Sequence, residues 1–311
     1  MILTVTLNTS VDKLYLMDRI RPETVMRVKE VHNTAGGKGL NVSRVAAKLG
    51  EPVTALGFAG GFNGAYLESL MDTPLVRCAF TRVEAETRSC INCWDLSSEK
   101  STEYLEPGAP VTPAETERFL LDFDRELPAA DAVAISGSIP EGVPEDIYCE
   151  LIRRCRRLGK PVLVDTSGSR LIAAAKEKPT FIKPNEDEIL QLTGRSFSGR
   201  QEALRALRDL HESGIPCVVL SLGAEGALLV SEEGALQGKP PRIRPRNTVG
   251  CGDSMVAGFA VGFARGLSVA ESFRMALAVS AAGALSLFTG HFEQADYERL
   301  IPEVSVSALR I

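Results

Sequence analysis

Short runs of β-branched and apolar residues alternate along this chain with longer segments whose apolar residues recur at helical spacing. Few architectures tolerate that alternation. Ile2–Leu7, Val53–Phe58, Ala132–Ser136, Pro161–Asp165, Thr180–Ile182 and Cys217–Ser221 read as buried strands. Gly39–Leu49, Pro113–Glu126, Pro144–Leu158, Glu186–Thr193 and Arg200–Ser213 carry the helical pattern between them. Repetition of this kind predicts βαβ units, hence a three-layer α/β/α sandwich with a mostly parallel central sheet and helices on both faces. A further strand, Ala227–Ser231, precedes a turn at Glu232-Glu233-Gly234. Helices over Asp253–Arg265, Val269–Phe288 and Gln294–Leu300 close the pattern.

Two segments break it. Residues 12–33 and 83–105 have strand character, alternate charged with apolar residues, and are not followed by a helix. The simplest arrangement is one α/β domain over residues 1–311 with a small β-sheet lid built from these two excursions. The exposed edges of such a lid invite pairing with a second copy, so a homodimer through the lid sheets is expected.

Composition excludes several classes of function. Net charge is −5, and the one basic cluster, Arg153-Arg154 with Arg156-Arg157, is short, which argues against a nucleic-acid partner. The longest apolar stretch, Met275–Phe288, is interrupted by serines and shorter than the roughly 20 residues a membrane helix needs. The first residues read as a strand, not a signal peptide. Seven cysteines form no regular framework, and Cys90-Ile91-Asn92-Cys93 has no second pair, so a reduced cytoplasmic protein is expected.

The chemistry concentrates in two glycine-rich segments. Asn247-Thr248-Val249-Gly250-Cys251-Gly252-Asp253-Ser254 runs straight into an apolar helix. Small residues let backbone N–H groups converge at the helix N-terminus, where free donors and the macrodipole attract an anion. Asp253 stands in the first turn, either as a capping residue or as a functional carboxylate beside that anion hole. Thr34-Ala35-Gly36-Gly37-Lys38-Gly39-Leu40-Asn41 also opens a helix. It matches neither the Walker loop nor G-x-G-x-x-G. Lys38 and Asn41 offer polar handles to a polyhydroxy or phosphorylated small molecule.

Together these segments resemble the two signatures of the ribokinase-like sugar kinases, in the branch that phosphorylates sugar phosphates. Five further motifs follow that family's order. They are Asn8-Thr9-Ser10-Val11-Asp12, Thr87-Arg88, Ser136-Gly137-Ser138-Ile139-Pro140, Lys183-Pro184-Asn185-Glu186-Asp187-Glu188 and Ser221-Leu222-Gly223-Ala224-Glu225-Gly226. The resemblance implies a ribokinase-like fold and ATP- and Mg²⁺-dependent phosphorylation of a ketohexose phosphate to a bisphosphate. Fructose 1-phosphate is the expected acceptor ahead of tagatose 6-phosphate; a non-catalytic sugar or nucleotide sensor is the alternative. By the same resemblance Asp253 would be the catalytic base, with Gly250, Cys251 and Gly252 donating amides to the transferring phosphoryl group. Asp12, Gly37, Lys38 and Asn41 would hold the sugar, Arg88 and Ser138 its phosphate, and Arg27 would assist from the lid. Lys183, Asn185, Ser221, Gly223 and Gly226 would border ATP, with Glu188 organising Mg²⁺ through water.

Physical chemistry sharpens two of these expectations. A guanidinium at Arg88 offers a bidentate fork that a neutral sugar could not use. A helix N-terminus should lower the pKa of Asp253, whereas bound ATP would push it back up. His32, His211 and His291 share no motif and read as structural. Met255, Phe259 and Phe263 recur at spacing four and read as core. Cys251 stands where the family usually has Ala or Ser and brings a thiol liability.

Overall fold

The computed structural model describes residues 1–71, 73–197 and 199–309. In chain order the elements are β1 (Ile2–Thr6), β2 (Ser10–Met17), β3 (Glu30–Gly36), α1 (Lys38–Lys48), β4 (Val53–Gly60), α2 (Gly61–Leu70), β5 (Val76–Cys78), β6 (Thr81–Val83), β7 (Arg88–Asp95), β8 (Lys100–Leu105) and α3 (Pro113–Glu126). There follow β9 (Ala132–Ser136), α4 (Ile147–Arg157), β10 (Val162–Asp165), α5 (Gly168–Lys176), β11 (Phe181–Ile182), α6 (Glu186–Thr193), α7 (Arg200–Glu212), β12 (Cys217–Ser221), β13 (Ala227–Ser231) and β14 (Gly234–Lys239). Helices α8 (Cys251–Ala264), α9 (Val269–Leu285) and α10 (Gln294–Leu300) precede β15 (Ser305–Leu309).

The large sheet has the order β15-β14-β13-β12-β11-β10-β9-β1-β4-β5, with β6 also on β4. Pairing is parallel from β5 to β12 and antiparallel from β12 to β15. Alternation along β1 shows how the layers arise. Leu3 and Val5 join the apolar cluster with α3, α4, α6 and α7, whereas Ile2 joins the cluster with α1, α8 and α9. Thr4, on the α1 side, shares a hydrogen bond of 2.7 Å with Ser43. Local chemistry sets several helix starts. Thr112 and Glu115 form a reciprocal cap on α3, with Pro113 at the first helical position, and Ser268 and Glu271 do the same for α9.

The two excursions assemble into a separate four-stranded sheet, β3-β2-β7-β8. Its central pair, β2 and β7, is parallel and aligns Ser10 with Arg88.

Several elements lie outside the sequence reading. Helix α2 begins with Gly61, and its first amides are capped by the Glu86 carboxylate, which accepts from Phe62 N at 3.2 Å and from Asn63 N. A cap borrowed from a distant residue leaves no local signal. Helix α5 falls in a short crossover after Asp165, and β14 and β15 are poor in β-branched residues but complete the antiparallel edge. The α4 segment starts at Ile147 rather than Pro144, because Pro144 caps a turn with Ile147 N donating to its carbonyl at 3.0 Å. Helix α8 starts two residues early, at Cys251.

Helices α8 and α9 touch along a seam of small residues. A Cβ on Gly258 would run into the backbone of Ala276, and one on Gly262 into Ser272. Such close approach fixes α8 against the sheet, where Phe259 packs on Phe181 with ring centroids 4.6 Å apart. Gly258→Ala should therefore destabilise the protein by about 1–3 kcal/mol through overpacking, despite the better helix propensity of alanine. The urea midpoint of unfolding checks this; an unchanged or raised midpoint would show that the seam is loose.

Candidate active site

The parallel strands end in a row of polar groups on the α1/α8 side. Register aligns Ser136 with Asp165 and Val164 with Ile182, so Thr6, Ser136, Asp165 and Lys183 occupy neighbouring positions along the carboxyl edge of the sheet. That edge opens into a cleft of about 610 Å³, roofed by the small sheet. Crevices beyond the carboxyl ends of parallel strands are where α/β sheets place ligands.

Helix α1 enters the cleft from one side. Gly37, at φ 108°, is its N-cap, and Leu40 N and Asn41 N both donate to Gly37 O at 3.0 Å. The glycine density here has a packing origin: a Cβ on Gly37 or Gly39 would strike the Thr6 side chain. Lys38 reaches across to Asp165, Nζ to Oδ2 at 3.2 Å, and Lys183 approaches the other oxygen at 3.7 Å. Asp165 and Lys183 are buried. Burial alone would raise the Asp165 pKa, but the two ammonium groups hold it below the usual carboxylate range.

Helix α8 enters from the other side. Gly250 is its N-cap in the left-handed region (φ 81°), with Thr289 packed where a Cβ would sit. Cys251 N donates to Thr248 O at 3.3 Å, so Gly252 and Asp253 carry the helix's unspent amides. Asp253 is buried in the first turn, and Asn41 Nδ2 donates to its Oδ2 at 2.7 Å. Its pKa is pushed up to about 6. Burial raises it, Lys38 pulls it down, Asp165 raises it, and the Asn41 hydrogen bond and Lys183 pull it down again. Burial is thus the largest cause of the shift, a contribution the sequence argument did not weigh. Its neighbour Cys251 is not part of the cleft wall, and burial pushes its thiol up to about 11, which keeps it neutral and unreactive.

The small sheet supplies the remaining wall. Asp12 accepts from Ser10 Oγ at 2.6 Å and faces Gly36, where any Cβ would overlap the carboxylate. Arg88 is held by Glu106 O at 2.7 Å and Asn8 O at 3.1 Å, while its buried Nε has no partner. Ser138 receives Asn8 Nδ2 at 3.1 Å beside it. Arg27, which the resemblance assigns to the lid, does not line the cleft of this chain. The β2–β3 register sets Ser10 against Gly36 at the cleft and Leu16 against Glu30 at the far tip. Arg27 lies beyond that tip, exposed and away from the cleft wall.

At the opposite end, Asn185 and Glu188 cap α6 reciprocally, at 2.8 and 2.9 Å, and both line the cleft with Ser221. Gly223 and Gly226 do not line it; they form the tight turn between β12 and β13. Among the described residues no cluster of three or more His, Cys, Asp or Glu could cage a metal ion. Glu188 has one oxygen committed to the cap and one left over. This donor set fits a hydrated Mg²⁺ that arrives with phosphates and keeps most of its water.

Asp165, Arg44 and His32 belong to the site or its support but were not among the expected site residues. Asp165 carried a signal, since it is the charged residue ending an otherwise apolar parallel strand. His32 lines the cleft edge-on to Phe288, 5.0 Å between ring centroids. Met255, Phe259 and Phe263 pack in the core side of α8 as expected. The seven cysteines are free, and the basic cluster is spent on ion pairs such as Arg153–Glu177 and Arg154–Glu150.

A family model described as pfkB family carbohydrate kinase matches residues 5–291. Phosphofructokinase-2 from Escherichia coli, solved in complex with potassium, is 30% identical, with 97% of this chain and 98% of that chain covered and a TM-score of 0.90. The same E. coli protein has been solved with fructose-6-phosphate and in a tetrameric inhibited form. A Thermotoga maritima protein described as a possible 1-phosphofructokinase is 26% identical, with 99% of each chain covered and a TM-score of 0.90. Ribokinase from Arabidopsis thaliana, complexed with ribose and ATP, shares the fold at 21% identity, 96% and 98% coverage and a TM-score of 0.75.

Asp165 is the electrostatic keystone of this arrangement. Asp165→Asn would remove the carboxylate 3.7 Å from the buried Lys183 ammonium, and breaking a buried pair on one side typically costs about 3–5 kcal/mol. Chemical unfolding at pH 7 should show that loss, and Asp165→Asn combined with Lys183→Met should recover part of it. A single variant as stable as the parent would contradict the pairing.

Proposed function

The chain belongs to the pfkB family of carbohydrate kinases, and on that premise we propose that it transfers the terminal phosphoryl group of ATP to a ketohexose phosphate, giving a bisphosphate. Fructose 1-phosphate is the preferred acceptor in this reading, ahead of tagatose 6-phosphate. The observation that carries the proposal is the juxtaposition at the head of α8. A desolvated carboxylate, Asp253, sits beside unspent helix amides, and Arg88 faces the same cleft with a buried donor still unused.

Phosphoryl transfer asks a protein mainly for positioning and charge stabilisation. Asp253, ionised above pH 6, accepts the proton of the attacking sugar hydroxyl as the new P–O bond forms. Backbone amides of Gly250, Cys251 and Gly252 face the charge on the moving group, with that of Cys251 drawn partly toward Thr248. Lys38 and Lys183 bring two positive charges to the same end of the cleft. Asp12, Gly37, Lys38 and Asn41 hold the sugar, and Arg88 and Ser138 take its existing phosphate. Lys183, Asn185 and Ser221 border the nucleotide, with Gly223 and Gly226 shaping the turn behind it. Mg²⁺, when bound with the nucleotide near Glu188 and Asn185, neutralises phosphate charge.

A second acceptor, fructose 6-phosphate, is favoured by one fact: the E. coli phosphofructokinase-2 described above was crystallised with it. A sensor without activity would be expected to dispense with Asp253 or the Gly250–Gly252 loop, and this chain has both. For the assembled state we propose a dimer through the small sheets. Strand β8 is exposed along its whole length, and Tyr104, Leu105 and Val31 are apolar residues left open at the sheet's edges.

A coupled ADP-release assay across fructose 1-phosphate, fructose 6-phosphate, tagatose 6-phosphate, fructose and ribose tests the acceptor. Turnover of phosphorylated ketohexoses is expected, and activity confined to unphosphorylated sugars would overturn the reading. Asp253→Asn should lower kcat roughly 10²–10⁴-fold with ATP affinity nearly intact. Parental kcat/KM should fall as pH drops through about 6, because protonation removes the base. Arg88→Ala should weaken binding of the sugar phosphate by about 1.5–3 kcal/mol, read as a raised KM.

A further inference from the structure

The side-chain amide of Asn41 touches Asp253, and an amide has two chemically opposite ends. Turned one way its NH2 supports a carboxylate; turned the other its carbonyl oxygen repels one. In this structure Asn41 Oδ1 accepts a hydrogen bond from Arg44 Nη2 at 2.7 Å, one turn along α1, while Nδ2 donates to Asp253 at 2.7 Å. We propose that Arg44 is a positioning residue: it holds the Asn41 amide in the orientation that presents its NH2 to Asp253. This deepens the proposed kinase mechanism and rests on the reading of Asp253 as the base.

Arg44 is well built for that task. It is not part of the cleft wall, so it does not touch substrate, and it acts through Asn41. Its guanidinium also donates to Ala35 O, to Thr289 O at 2.8 Å and to Gly290 O at 3.5 Å. Three chain segments therefore fix the plane of the fork: the root of β3, α1, and the turn after α9. Lysine could supply the charge but not that planar set of donors. Gly290 adds an independent sign that the contact is tight. Its φ is 64°, and a Cβ there would stand 2.6 Å from Arg44 Nη2 and 2.8 Å from Asn41 Oδ1. The turn after α9 thus leaves the Arg44–Asn41 pair no spare volume.

The consequence is a pH signature. Asp253 is faced by Lys38 and Lys183, by the Asp165 carboxylate, by the neutral Cys251 thiol and by Asn41. The Arg44 charge also acts on Asp253 directly, so Arg44→Lys, which keeps that charge, isolates the part that runs through the Asn41 contact. Losing a hydrogen bond to the charged form disfavours ionisation, so the acid limb of the kcat–pH profile should move to higher pH. The displacement should be roughly one unit, the size of one hydrogen bond to a charged group. For Arg44→Lys and Arg44→Met, kcat should then fall up to about tenfold on the acid side of the parent limb and approach the parent value well above it. The KM for ATP should stay unchanged.

The decisive experiment measures kcat against pH for Arg44→Lys, Arg44→Met, Asn41→Ala and the Arg44→Met/Asn41→Ala double variant, with saturating ATP and the best acceptor of the panel. The limb should move up in each single variant, and the displacement by Arg44→Met should shrink in the Asn41→Ala background to what the lost charge alone contributes. Gly290→Ala, which crowds the same contact while sparing both side chains, should move the limb in the same direction and serves if the arginine variants do not fold. A parental limb in Arg44→Lys and Gly290→Ala, or equal displacements with and without Asn41, overturns the inference. Asp253→Asn separates the two levels. If it is inactive while the Arg44 limb stays put, only the Arg44 role falls; if it turns over like the parent, the base reading falls and takes the Arg44 role with it.

Discussion

Taking the Asp253 carboxylate out of water is the constraint around which the cleft is organised. A buried carboxylate left alone would stay protonated far into the neutral range. Here Lys38, Lys183 and the Asn41 amide restrain that rise, whereas Asp165 opposes them and holds the two lysines in place. The resulting balance puts the titration about one unit below neutrality, ionised at physiological pH yet still basic enough to take a proton. Remove any one of the charged groups and the balance among the others shifts. The site is a small electrostatic equilibrium rather than a set of independent residues.

The fold delivers these groups from many directions. Asp165 and Lys183 come from the carboxyl edge of the sheet, Lys38 and Asn41 from the start of α1, and Asp253 from the start of α8. Two helix N-termini face one cleft, which makes it attractive to anions before any side chain is counted. The small sheet adds Asp12 and Arg88 from adjacent strands. Because Ser10 pairs with Arg88 in parallel register, the Asp12 carboxylate and the guanidinium are held at a fixed spacing by backbone hydrogen bonds.

Much of this was legible in the sequence, for identifiable reasons. Strands such as Ala132–Ser136 and Cys217–Ser221 are apolar throughout, and helices such as α3 carry their own caps, so local chemistry suffices. Motifs around Asp253, Lys38 and Arg88 are contiguous, and the structure does bring them to one cleft. What escaped is what depends on distant partners: α2, capped by Glu86 from across a loop, and Arg44, whose role appears only when Ala35, Asn41 and Thr289 converge on it. Arg27 sits beyond the lid's far tip, where strand register carries it away from this chain's own cleft. Gly37, expected from the resemblance to hold the sugar, is needed together with Gly39 so that α1 can lie on Thr6.

The parallel pairing of β2 with β7 joins stretches of chain that lie more than 70 positions apart, with β4 and α2 threaded between them. Each half of the sheet is an antiparallel pair of neighbouring strands, β2–β3 and β7–β8, but joining the halves closes a long loop that β1 and β4 shorten by pairing in the large sheet. For anyone recombining relatives of this enzyme, neither excursion is a portable module: a chimaera that exchanges residues 12–33 without 83–105 splits one sheet between two ancestries.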